Sequence, residues 1–223
     1  MTEVDAALRL IRAYTELRSP ATVPEVKLHL ASEMLDLWRE SEALLYAKSV
    51  SAGDAPPPYW AFAWPGGQAL ARYILDNPAI CRGKSVLDFG SGSGLVAIAA
   101  ALAGAEPVVA AEIDAGARTA MGLNAAANGV YVETVQCDVI GWAGRWDIVL
   151  AGDMCYERPL AERLLAWLRR LAGDGATVLM GDPGRTYFPH SGVRKLATYQ
   201  VPTSRELEDR DTRETSVYAL LPE

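Results

Sequence analysis

A glycine-rich turn constrains this chain more than any other stretch. Val86-Leu87-Asp88-Phe89 reads as a buried strand, Gly90-Ser91-Gly92-Ser93-Gly94 as a tight turn, and Leu95 to Ala101 as an apolar helix. Glycines at alternate positions let the backbone approach a ligand closely, with no Cβ in the way. The N–H groups at the start of the following helix face back onto the turn and favour an anionic group there. Glu112, 18 residues past Gly94, ends a second apolar run, Val108 to Ala111. A carboxylate about 20 residues beyond such a turn is placed to hold a ribose diol. The pattern asks for a nucleoside that carries an anionic group.

Spacing narrows the choice. The dinucleotide fingerprint has the frame G-x-G-x-x-G. Here the frame is G-x-G-x-G, and Leu95 stands where the longer motif needs glycine. That favours S-adenosylmethionine, whose anion is a small carboxylate, over a pyrophosphate. A nicotinamide-dependent oxidoreductase and a non-catalytic S-adenosylmethionine-binding module are the competing classes.

The rest of the chain supplies a frame for the turn. Apolar side chains at Val4, Ala7, Leu8, Ile11, Tyr14 and Leu17 predict a helix over residues 4–18, with Thr2 and Asp5 capping its start. Pro20 and Pro24 break it, and a second helical region is expected from about Glu25 to Leu45, with Leu28, Met34, Leu35, Trp38 and Leu45 toward the core. Ser49 to Pro58, with three prolines, reads as a linker. The expected division is a helical cover over residues 1–50 and a catalytic unit over 59–223. Next come four aromatics in six residues, Tyr59, Trp60, Phe62 and Trp64, ahead of Pro65-Gly66-Gly67-Gln68. Tyr59 and Phe62 read as a buried corner; Trp64, entering the helix Gln68 to Leu75, reads as a wall for a sulfonium ligand through cation–π attraction.

Beyond the turn, strands are expected at Val108 to Glu112, Tyr131 to Cys137, Trp146 to Ala151 and Ala176 to Met180, with helices over Ala115 to Asn128 and around Leu160 to Leu171. Asp138, at the end of one strand, is placed to accept from an adenine amino group, and Trp142 either stacks on the base or fills core. Alternation of this kind implies a parallel, doubly wound α/β sheet with its site at the strand carboxyl ends. Val193 to Val201 and Glu214 to Leu221 lack a crossover helix between them and should pair antiparallel. A parallel sheet ending in such a hairpin is the Rossmann-like, seven-stranded architecture of class I methyltransferases, here with an N-terminal helical extension.

Composition excludes several functions. The net charge of −7 argues against a nucleic-acid partner and suits a basic peptide segment as target. Two histidines and three scattered cysteines, Cys81, Cys137 and Cys155, make a metal site improbable and reduced thiols the default. The N-terminus has neither a secretory core nor a transit pattern, and no apolar run has membrane-spanning length. A cytoplasmic monomer without membrane contact is expected.

Asp153-Met154-Cys155-Tyr156 follows a strand at the carboxyl edge. In a helical turn the acid and the phenol would project to one side; as plain structure they would be an N-cap and a packed ring. Cys155 has no histidine near it in sequence to activate a thiolate.

Taken together, Pro58-Tyr59-Trp60-Ala61, Trp64-Pro65-Gly66-Gly67-Gln68-Ala69-Leu70, Asp76-Asn77-Pro78, Arg82-Gly83-Lys84-Ser85-Val86-Leu87-Asp88, Gly152-Asp153-Met154-Cys155-Tyr156 and Gly181-Asp182-Pro183-Gly184-Arg185 resemble the seven-β-strand protein lysine methyltransferases with a D-x-x-Y motif. The likeness extends from Val23 through Val217 and is nearest to members acting on the electron transfer flavoprotein beta subunit. It implies S-adenosylmethionine as methyl donor, no metal, and that beta subunit as protein substrate, with a ribosomal protein or a small-molecule amine as alternatives. It implies that Gly90, Ser91 and Gly92 cradle the methionine part, Glu112 the ribose and Asp138 the adenine, with Trp64 lining the pocket. Asp88, Gly94, Asp114, Asn124, Trp142 and Gly152 complete the cofactor set, and Asp153 with Tyr156 receives the lysine. Ser93 and Leu95 differ from the animal forms, and with no presequence they suggest a bacterial enzyme. A lysine amine has a pKa near 10.4, and a carboxylate beside it favours the ammonium. Asp153 is therefore expected to capture and orient the nitrogen, with the proton leaving to water.

Overall fold

A computed structural model of the chain describes residues 2–31, 33–46 and 56–222. Helix α1 (Glu3–Tyr14) begins on the expected capping box: Thr2 accepts from the Asp5 N–H and Asp5 accepts from the Thr2 N–H. It ends four residues early. Thr15 turns its hydroxyl onto the Ile11 carbonyl, 2.5 Å away, and enters strand β1 (Thr15–Arg18). Strand β1 pairs antiparallel with β2 (Leu28–Ala31). The second helix expected from Glu25 therefore starts later, as α2 (Met34–Ser41), followed by a π-helical turn over Glu42–Tyr46. The physical reason is a period of two: Val26, Leu28 and Leu30 are buried while Lys27 and His29 are not, which is a strand pattern. Leu37 fills the core instead of Leu35, and Val4 and Leu17 are exposed. The Met34 side chain and the expected linker as far as residue 55 lie outside the described residues.

Helix α3 (Pro65–Asp76) leads to β3 (Val86–Phe89), the glycine turn and α4 (Leu95–Leu102). Strand β4 (Val108–Ala111), helix α5 (Ala115–Ala127) and β5 (Glu133–Val135) continue the alternation on one side of β3. The chain then crosses to the other side with β6 (Ile148–Gly152), helix α6 (Arg158–Gly173) and β7 (Thr177–Asp182). Strand β8 (Val193–Pro202), the short helix α7 (Arg205–Glu208) and β9 (Thr212–Leu220) close the fold.

The sheet has seven strands in the order β5-β4-β3-β6-β7-β9-β8. Strands β3 to β7 are parallel, and β9 inserts antiparallel between β7 and β8, as expected for the tail hairpin. Central strands alternate their side chains between two cores. Val86, Ile148 and Leu150 pack with α3 and α4, whereas Leu87, Val149 and Ala151 pack with Leu164, Trp167 and Leu168 of α6. A third cluster joins Leu10, Ile11 and Leu37 to Trp60, Phe62, Ala117 and Ala120. The N-terminal elements thus sit on α5 and on the aromatic segment. Strand order reverses between β3 and β6, and in such sheets the crevice beyond that point holds the ligand. Among the described residues no helix is long and apolar enough to cross a membrane.

Candidate active site

Two chain segments meet at that crevice: the glycine turn after β3 and Gly152-Asp153 after β6. Gly90, Gly92 and Gly94 all have positive φ (63°, 52° and 83°), a conformation costly for any other L residue. A Cβ on Gly94 would lie 2.7 Å from Cγ of Met121 as well. The turn is held from below. Asp88 is buried and accepts from the Ser91 hydroxyl and, at 3.1 Å, from the Ala97 N–H. Burial pushes its carboxyl up to about 7, against the pull of those two donors. Glu112 spans from the end of β4 to the turn, accepting from the N–H groups of Gly92 (2.9 Å), Ile113 (2.7 Å) and Asp114 (3.1 Å). Desolvation raises its carboxyl while these donors oppose the rise.

A narrow cleft opens here, lined by Tyr59, Trp64, Gly67, Gly90 to Ser93 and Gly152 among others. Trp64, Asp88, Gly90, Ser91, Gly92 and Gly152 all line this cleft. Two others work from behind. Asp114 caps α5 through the Ala117 N–H. Asn124 departs from the expected cofactor contact: it is fully buried, accepts from the His29 N–H at 2.8 Å and donates to the Ser93 carbonyl at 2.8 Å. Its amide is consumed tying the β2 strand to the glycine turn. Asp138 accepts from the Ile140 N–H and pairs with Arg163 of α6 at 2.6 Å. Trp142 is half-exposed, so it does not fill the core.

The Asp153 turn is not helical. Asp153 has φ of 57°, buried in the left-handed region, and Tyr156 lies half-exposed. One carboxylate oxygen, Oδ2, accepts from the N–H groups of Gly66 and Gly67 at the start of α3. The other, Oδ1, accepts from Arg185 Nη2 at 2.7 Å and Nε at 3.1 Å. Asp153 is thus an N-terminal cap, but for a helix 87 residues earlier in the chain. This needs glycine at Gly66 and Gly181, because a Cβ on either would collide with the other's carbonyl oxygen. Burial raises the Asp153 carboxyl and Arg185 pulls it down. Arg185 also donates to Glu208 of α7 at 2.5 Å, Glu208 accepts from Arg213 at 2.9 Å, and the Arg185 guanidinium lies 5.8 Å from the Trp64 ring centre.

Tyr59 is exposed, not buried as expected. Its ring meets Trp64 edge-on at 5.6 Å and Tyr156 at 6.1 Å, making an aromatic mouth above the cleft. The Tyr156 phenol is pushed up to about 12, first by desolvation and then by Glu157, so its hydroxyl stays protonated. Buried Cys155 is pushed up to about 12 by desolvation, which rules out a thiolate nucleophile near neutral pH. Among the described residues no group of histidine, cysteine and carboxylate side chains has metal-holding geometry. Sequence reasoning missed Arg185, Glu208 and Arg213. The Gly-Asp-Pro-Gly-Arg segment was its only signal, and it assigned no role.

Known proteins similar to this chain are methyltransferases. Residues 69–162 match a family model described as ribosomal protein L11 methyltransferase. An electron transfer flavoprotein beta subunit lysine methyltransferase from Xenopus laevis is 40% identical over 219 residues, 95% of this chain and 86% of that protein. The solved ribosomal protein L11 methylase of Lactobacillus delbrueckii subsp. bulgaricus superposes with a TM-score of 0.50 at 22% identity, covering 72% of this chain and 81% of that one. A magnesium protoporphyrin IX methyltransferase from Synechocystis, solved with S-adenosylmethionine bound, gives a TM-score of 0.51 at 16% identity, covering 75% and 86%. These two likenesses establish the fold.

Proposed function

The chain belongs to the electron transfer flavoprotein beta subunit lysine methyltransferases, and from that premise we propose that it methylates lysines of such a beta subunit. The carrying observation is one crevice with two walls of different chemistry. One wall is a glycine cradle backed by Glu112; the other is an aromatic mouth over Asp153. The cradle fits S-adenosylmethionine: glycines leave backbone exposed beside a helix N-terminus, and a carboxylate closes the far end. When bound, S-adenosylmethionine supplies a sulfonium methyl group that an amine attacks in line.

On this reading Gly90, Ser91 and Gly92 hold the methionine part and Glu112 the ribose, with Asp138 and Trp142 on the adenine side. Trp64 and Tyr59 offer π faces to cations. Tyr156 meets the incoming amine with its ring and its protonated hydroxyl. Asp153 acts as a fixed charge under the substrate side; its oxygens are engaged by four protein donors, close to the capacity of a carboxylate. It is therefore no base, and the lysine proton leaves to water. Orientation of the amine supplies most of the acceleration.

The test is incubation of the purified enzyme with S-adenosylmethionine and electron transfer flavoprotein, followed by mass spectrometry of lysine peptides. Methylated lysine on the beta subunit supports the reading, and an unmodified beta subunit overturns it. The match of residues 69–162 favours ribosomal protein L11 as the second substrate to try.

A further inference from the structure

The Asp153 carboxylate is matched, one for one, by resident protein charge. Arg185 donates twice to Oδ1 of Asp153 and reaches Glu208 at 2.5 Å, and Glu208 is in turn held by Arg213 at 2.9 Å. Asp153 and Glu208 are both buried, and Arg185 has only 18% of its side chain exposed. Two carboxylates and two guanidinium groups therefore cancel. Asp182, at the end of β7, is a further acid; it uses Oδ1 to accept from the N–H groups of Gly184 and Arg185, which fixes the turn that aims Arg185, and Glu157 and Glu112 bear on the Tyr156 phenol at the mouth. Burial pushes its carboxyl up to about 6. Tyr156 and Cys155 both stay neutral at this edge.

The reacting form of lysine is the neutral amine, and an uncompensated carboxylate nearby would hold the amine as ammonium. Building on the proposed lysine methyl transfer, we propose that Arg185 is a positioning residue that cancels the Asp153 charge and so lets the substrate lysine lose its proton in the site. Its guanidinium cannot be deprotonated, which makes the cancellation independent of pH. Burial raises the Asp153 carboxyl and Arg185 is the main pull against it, so the charge that loss of Arg185 uncovers is felt on the alkaline side, where Asp153 is ionised and the lysine titrates. Helix α7, between β8 and β9, delivers Glu208, which accepts from Arg185.

The experiment is the pH profile of single-turnover methylation of electron transfer flavoprotein at saturating S-adenosylmethionine. Arg185→Gln, Arg185→Lys and Glu208→Gln are compared with the wild type. S-adenosylhomocysteine binding by calorimetry checks that each variant is folded. In Arg185→Gln the ascending limb should move up by about one pH unit, a roughly tenfold loss of rate along that limb. Arg185→Lys keeps the charge and should hold the limb in place. Glu208→Gln leaves the network more positive and should move the limb down. An unmoved limb in Arg185→Gln, or the same shift in Arg185→Lys, overturns the proposal. If Arg185→Gln does not bind S-adenosylhomocysteine, Glu208→Gln decides: a downward shift supports it, no shift or an upward one refutes it. A wild type that leaves the flavoprotein unmethylated instead refutes the substrate reading.

Discussion

Replacing Asp153 should damage the fold before it informs on catalysis. Asp153→Ala strips the cap from two N–H groups of α3 and leaves Arg185 facing Glu208 alone. Removing one partner of a buried ion pair costs about 3–5 kcal/mol, and a lost helix cap costs about 1 kcal/mol. Because Glu208 still holds Arg185, the lower end of the first figure applies, for a total of about 3–4 kcal/mol. In a chain of this length each kcal/mol lowers the melting temperature by roughly 2–4 °C, so Asp153→Ala should melt about 6–16 °C below the wild type. Asp153→Asn keeps a carbonyl for the helix N–H groups but turns an amide donor toward Arg185, and should fall between the two. Scanning calorimetry, S-adenosylhomocysteine affinity and turnover are measured on the same proteins. Affinity should change by less than tenfold, about 1.4 kcal/mol, while turnover drops in Asp153→Ala, which loses the α3 cap and the hold on Arg185. An Asp153→Ala protein that melts within about 2 °C of the wild type would refute the buried network. Full turnover in a folded Asp153→Ala would remove Asp153 from the site.

Glu112→Ala should weaken S-adenosylhomocysteine binding by about 1–3 kcal/mol in calorimetry, the cost of leaving buried polar groups unmet; unchanged affinity removes Glu112 from the cradle. Gly181→Ala should destabilise by about 1–3 kcal/mol or more in urea titration, because its Cβ has no room beside Gly66. Asp88 is about 7 in the folded chain against 3.8 for an ordinary aspartate. The folded state therefore binds more protons between about pH 4 and 7, and stability falls as pH rises through that window. Asp88→Asn should flatten that part of the melting-temperature profile, and an unaltered slope would contradict the assignment. Methylation of a lysine target by a chain of net charge −7 should slow with rising salt; a salt-independent kcat/KM would exclude electrostatic steering.

Local chemistry was enough to determine the glycine turn, the alternation of β3 to β7 and the antiparallel tail, since each rests on the pattern of neighbouring residues, whereas Glu112 was picked out by its spacing from the turn. The place of the D-x-x-Y segment at the carboxyl edge was legible because it follows a buried strand. The hairpin of β1 and β2 was missed although Val26, Leu28 and Leu30 alternate, because Leu28 also fits a helical stripe with Leu35. Pairing with Thr15–Arg18 and the hydrogen bond to Asn124 decided between them. The bonds of Asn124 to His29 and Ser93 were not legible, because a polar residue on a helix beside a nucleotide turn does not show which way it faces. The charge network was beyond reach for a different reason. Asp153 meets Gly66, Arg185 and Glu208 across separations of 87, 32 and, from Arg185 onward, 23 residues. Nothing local couples those positions. Only the close approach of α3 to the ends of β6 and β7, permitted by glycine on both surfaces, brings the helix N–H groups, the acid and the arginine within bonding distance.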